Sequence, residues 1–140
     1  MKLLALETAT EACSAAIWVE GAVLERYELA PRRHAALILP MVEAVLAEAG
    51  LAMSRLDAIA VGCGPGAFTG VRIAIGIAQG LAFAVDAPVA PISTLATLVS
   101  LGRLDLSRSI SEIVSLEDVA IGIDKLERQE GNPIRILVRP

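Results

Sequence analysis

The sequence is short of aromatic residues: one Trp, one Tyr and two Phe make up 3% of 140 residues. A core built from it must be aliphatic and rich in alanine. Cysteine is scarce too. Cys13 and Cys63 form neither a disulfide framework nor a metal motif, and both read as reduced, buried small residues. One histidine, His34, excludes a histidine-rich metal site. At what reads as a helix start, it is expected to be a capping or surface residue rather than a ligand, so no metal is expected. Basic residues are in the minority, 12 Lys and Arg against 16 Asp and Glu, for a net charge of −4. An acidic chain lacks the cationic footprint of an autonomous nucleic-acid binder, so no direct nucleic-acid contact is expected. No signal peptide is expected ahead of the first apolar run. The most apolar helix reads as too short and too polar at its ends for a bilayer. The cytoplasm is therefore the expected location, with no membrane partner.

What the chain has in excess is aliphatic surface. The hydrophobic fraction is 55% before glycine is counted, and mean hydropathy is +0.65. Soluble domains run at about 45–50% with glycine included. Either the interior is unusually large or apolar surface is left over for contact.

The chain turns on the stretch Gly62–Phe83. A short apolar strand leads into a glycine-rich elbow at Gly62, Gly64, Pro65 and Gly66, followed by an apolar helix from Thr69 to Val85. Strand, glycine loop and helix can point free backbone N–H groups at an anion. This leaves a phosphate cradle at Gly64, Gly66 and Thr69 open beside a plain tight turn. No lysine follows as in a P-loop, and the match to a dinucleotide fingerprint is loose. Along the helix, Gly76 and Gly80 sit four apart and share a face. Each costs about 1 kcal/mol relative to Ala, and together they allow another backbone to approach. A helix apolar on nearly all sides needs cover nearly all round, and a single lobe of this size is short of it.

Read in order, Lys2–Thr8 is a buried strand, Cys13–Glu20 a second and Ala22–Leu29 a third, with Gly21 in a hairpin turn. Arg32–Leu51 is a helix in which Leu37, Met41, Val45 and Leu46 recur at helical spacing; Pro40 either kinks its first turn or marks its start. Ala58–Gly62 is a strand, followed by the loop and helix. Val89–Ile92 is another strand, and Ser93 or Thr94 caps a helix from Leu95. The order β-β-β-α-β-α-β-α predicts a mixed sheet with helices packed on it. It is the layout of an actin-like ATPase N-terminal lobe, which is ribonuclease-H-like.

Three segments, LLALETATEACSAAIW from Leu3, HAALILP from His34 and GPGAFTGVRIAIGIAQGLAF from Gly64, resemble the TsaB (YeaZ) family, accessory proteins of bacterial tRNA threonylcarbamoyladenosine synthesis. The likeness runs to about Thr97. It implies an actin-like lobe, no catalytic role and no cofactor. It also implies pairing with a TsaD subunit through two helices, here Arg33–Ala49 and Thr69–Val85, with TsaE joining and with self-association through the same helices. The interface expected on that basis is Leu37, Met41 and Val45 on the first helix, and Arg72, Ile73, Gly76, Ile77 and Gly80 on the second. Glu7 stands where many relatives have Asp, so nucleotide binding would be vestigial.

From about Leu98 the chain resembles instead the C-terminal end of medium-chain alcohol dehydrogenases. The expected division is residues 1–97 as the lobe and 98–140 as a short β-α-β tail. In the tail, Ser109–Val114 reads as a strand, Leu116–Glu130 as a helix capped by Ser115 and Asp118, Gly131–Pro133 as a turn and Ile134–Val138 as a strand. None of that family's zinc ligands or its dinucleotide loop accompanies the tail. Three functions follow: a scaffold for a TsaD-like subunit, a self-associating chain without activity of its own, and a vestigial nucleotide binder.

Overall fold

The computed structural model describes residues 1–103, 112–115, 117–128 and 136–139. They form two compact units, Met1–Thr97 and Leu98–Pro140. The first unit carries the five-stranded sheet. Its strands are β1 (Lys2–Glu7), β2 (Ala12–Val19), β3 (Ala22–Leu29), β4 (Ala58–Gly62) and β5 (Val89–Ile92). They lie in the order β3-β2-β1-β4-β5. The first three are antiparallel, while β4 and β5 run parallel to β1. The helices are α1 (His34–Glu48), α2 (Phe68–Val85) and α3 (Thr94–Ser100). The mixed sheet and the element order expected from the sequence are both present.

Alternation along each strand decides which face is covered. Leu4 pairs with Ile17 and Ile59, and Leu6 with Ala15 and Val61. All are buried in one cluster with Ile38, Met41, Val42 and Val45 of α1 and Ala74, Ala78 and Ala82 of α2. The other face carries a cross-strand row of small side chains, Ala16, Ala5, Ala60 and Ala90.

Turns follow their residue types. Glu20 and Gly21 both have positive φ, 51° and 87°, as a two-residue type I′ hairpin requires. The helix α1 starts six residues before Pro40, which lies inside it on the exposed side. Proline therefore neither starts the helix nor breaks it. Gly50 at φ 62° closes α1, with Leu51 N–H bonded to the Leu46 carbonyl. At the end of α2 the left-handed residue is Asp86, φ 53°, and Ala87 N–H bonds to the Ala82 carbonyl. The Ser93 hydroxyl accepts from Ala96 N–H at 3.3 Å.

The second unit pairs β6 (Glu112–Ser115) in parallel with β7 (Ile136–Arg139), with α4 (Val119–Arg128) between them in sequence. Asp118 N–H donates to Ser115 Oγ at 3.3 Å, and the Ser115 hydroxyl donates to the Asp118 carboxylate at 2.9 Å. Ile121 and Ile123 are more than half exposed. The turn expected at Gly131–Pro133 lies outside the described residues, as do the start of the first tail strand and Gln129 and Glu130 at the end of its helix.

Candidate functional site

The C-terminal ends of β1 and β4 meet the glycine loop. Glu7, the last residue of β1, is held from two sides. One carboxylate oxygen accepts from Ala9 N–H at 2.6 Å, the other from the Thr94 hydroxyl at 3.3 Å. The buried Thr8 hydroxyl donates to the Gly70 carbonyl at 2.7 Å. Ala67 N–H donates to the Ala9 carbonyl at 2.6 Å, and Thr94 N–H to the Gly64 carbonyl at 2.9 Å. A cavity of about 280 Å³ opens beside Glu7, between Ser14, Glu25, Gly62 and Thr97.

These contacts explain the glycines. A Cβ on Gly62 would run into the Glu7 carboxylate, one on Gly66 into the Ala9 carbonyl, and one on Gly70 into the Thr8 carbonyl. Gly64, at φ 87°, supplies the left-handed turn, and the Gly64–Pro65 peptide is cis. The loop is therefore pressed onto the β1–β2 turn. Of the tentative cradle residues, Gly66 serves that packing and Gly64 the turn, its carbonyl taken by Thr94 N–H, while Thr69 stands apart, exposed in the first turn of α2.

The helix α2 has two opposite stripes. Gly70, Ala74, Ala78 and Ala82 lie buried toward the sheet. Phe68, Arg72, Gly76, Gly80 and Phe83 face away and are exposed, Phe83 at 92%. The Arg72 guanidinium lies 3.4 Å from the centre of the Phe68 ring, a cation–π contact. A Cβ on Gly76 or Gly80 would meet nothing within 4 Å.

Three comparisons bear on identity. The tRNA threonylcarbamoyladenosine biosynthesis protein TsaB of Escherichia coli (strain K12) is 52% identical over 98 residues, 70% of this chain and 42% of that protein. The protein of the same name from Haemophilus influenzae is 46% identical over 124 residues, 89% of this chain and 49% of its own. Among solved structures, YeaZ from Pseudomonas aeruginosa superposes with a TM-score of 0.70 at 59% identity, covering 72% of this chain and 47% of that one. The model of the family described as TsaD, tRNA N6-adenosine threonylcarbamoyltransferase, matches residues 26–115. The chain belongs to the TsaD family, in its TsaB/YeaZ branch. It spans about half the length of the TsaB proteins it matches. The family match extends into the second unit, past Thr97.

For a TsaB/YeaZ chain the placement of the expected interface residues is informative. Met41 and Val45 are buried in the lobe's own core. Leu37, Ile73 and Ile77 are half-buried beside that core. Arg72, Gly76 and Gly80 are exposed. The sequence reading missed Phe68 and Phe83, although both fall on the Arg72–Gly76–Gly80 stripe at helical spacing. Leu39 adds an exposed apolar side chain on α1.

Three further expectations are corrected. His34 is buried, at 8% exposure, and is not a surface residue. Cys63 is exposed, whereas Cys13 is buried and both are free. The helix α2, with 18 residues, is long and apolar enough by composition to cross a membrane; in this fold its small-residue stripe lies on the sheet. Among the described residues no group of three His, Cys, Asp or Glu side chains is arranged to hold a metal.

Proposed function

We propose that this chain is a non-catalytic binding partner of a TsaD-like subunit in tRNA threonylcarbamoyladenosine modification in the bacterial cytoplasm, with TsaE as a further member of the assembly. The observation that carries the proposal is the outward stripe of α2. Two helix-interior glycines, each costing about 1 kcal/mol relative to Ala, stand in open space between two exposed phenylalanines. A helix–helix contact is the ordinary reason to keep glycine there, because it lets two backbones come together. Ile73 and Ile77 lie next to that stripe on α2, half-buried, whereas Leu37 lies on the side of α1 that faces Arg26, Tyr27 and Glu28 of β3. In the absence of a partner, two copies are proposed to pair through the stripe. The scaffold role is supported by the Glu7 carboxylate, which is already engaged by Ala9 and Thr94. The second unit is proposed as an appended segment that contributes no chemistry.

The test is co-elution with a purified TsaD-family subunit on size exclusion at micromolar concentration, using the wild-type chain and Gly76→Leu. A shared peak is expected for the wild type. The leucine is expected to weaken association by about 1–3 kcal/mol through overpacking. Separate elution of the wild type would overturn the reading. The second reading is a self-associating chain with no TsaD-like partner, favoured by the same exposed stripe of α2, which a second copy could equally cover. It predicts dimers by light scattering and no shared peak.

A further inference from the structure

The starts of α1 and α2 flank a cavity of about 320 Å³. Arg32, His34 and Ala35 line one side; Ala67, Thr69 and Gly70 line the other. Both helices begin without a side-chain cap and without an acidic residue in the first turn. Ala36 N–H bonds back to the Arg33 carbonyl and Ala67 N–H to the Ala9 carbonyl, while the Phe68, Thr69 and Gly70 N–H groups have no acceptor within α2; each start carries about half a positive charge. Arg32 adds a full one and makes no ion pair with a described residue. His34 is more than nine-tenths buried, and its Nε2 has no hydrogen-bond partner. A buried polar nitrogen left unsatisfied is costly, and here its residue lines a cavity already positive on two walls.

We infer that this cavity binds a small oxyanion of the phosphate class. The donors stand on opposite walls: the Arg32 guanidinium and the His34 imidazole on one, the Thr69 hydroxyl and the α2 first-turn N–H groups on the other. A tetrahedral anion offers oxygens in several directions and meets such a set better than a planar carboxylate does. The site differs from the Gly64–Gly66 loop, in which Gly66 is pressed onto the Ala9 carbonyl and Gly64 makes the left-handed turn, and shares only Thr69 with the expected cradle. It stands whether or not the outer face of α2 meets a TsaD-like partner. Its occupant is free phosphate or the terminal phosphoryl group of a nucleotide.

The test uses the full chain and its single histidine, whose imidazole NMR signal is unambiguous. Titration with potassium phosphate, against potassium chloride at matched ionic strength, is expected to shift that signal saturably and to raise the melting temperature. Arg32 has φ 65°, so Arg32→Gly relieves the backbone while removing the charge. It is expected to keep the fold and to lower phosphate affinity about tenfold, the worth of one charge-assisted hydrogen bond. Thr69→Val, which removes only a hydroxyl, is expected to weaken binding as well. Tighter binding of ADP than of phosphate assigns the site to a nucleotide; equal or weaker binding assigns it to free phosphate. Indistinguishable responses to phosphate and chloride, a response to acetate alone, or unchanged affinity in a folded Arg32→Gly chain would each overturn the site.

Discussion

Gly70 and Gly76 lie six residues apart on one helix and should answer oppositely to the same substitution. At Gly70 a methyl group meets the Thr8 carbonyl, so Gly70→Ala is expected to destabilise the chain by about 1–3 kcal/mol. At Gly76 the methyl group meets nothing within 4 Å, so Gly76→Ala is expected to stabilise the isolated chain by about 1 kcal/mol. Urea denaturation of both variants checks the pair. The cysteines divide in a similar way. Cys63 is exposed and is expected to react with a thiol reagent in the native protein, while Cys13 reacts only on unfolding. Burial, aided by the nearby Glu28 carboxylate, pushes the Cys13 thiol above its ordinary value of 9.0. Above that pH the unfolded chain releases this proton before the native one does, so stability falls as pH rises. The fall should be shallower in Cys13→Ala, measured by urea midpoints across the alkaline range.

Among the elements, α2 shows best what the sequence did and did not disclose. Its existence and apolar character are plain from Val71 to Val85. Its two small-residue stripes, 70/74/78/82 and 76/80, are equally visible, but local periodicity does not say which one meets the sheet. That depends on the parallel pairing of β4 with β1, a contact some 55 residues apart in sequence. The glycine loop was ambiguous for the same reason: Ala9 and Thr8, which press on Gly66 and Gly70, lie far upstream. The strands were legible because Leu4/Leu6 and Cys13/Ala15/Ile17 alternate. His34 was misplaced because a helix start is usually wet, whereas here the residue is buried and its carbonyl accepts from the Cys13 thiol of β2. If the outer face of α2 is a docking surface, Phe83→Ala should leave urea stability within about 0.5 kcal/mol, since the ring is 92% exposed. It should weaken capture of the TsaD-like subunit by more than about 1 kcal/mol, read by calorimetry.

At the scale of the whole molecule, the cluster of buried hydrophobic side chains among the described residues runs from Leu4 to Ala82, inside the first unit. Removal of residues 104–140 is accordingly expected to leave a single cooperative thermal transition, checked by circular dichroism. A chain that loses its transition would mean the second unit holds up the first. The sheet has its helices α1 and α2 on one side only, and on the other the alanine row of β2, β1, β4 and β5.

That row acts as a gauge. A floor of methyl groups lets a neighbouring layer come closer than leucine or valine would. Ala5→Leu would put a branched chain into the cavity that Ala5, Ala16 and Ala60 line, and would hold such a layer off. The back of this sheet thus sets how near a neighbour can come without dictating its sequence.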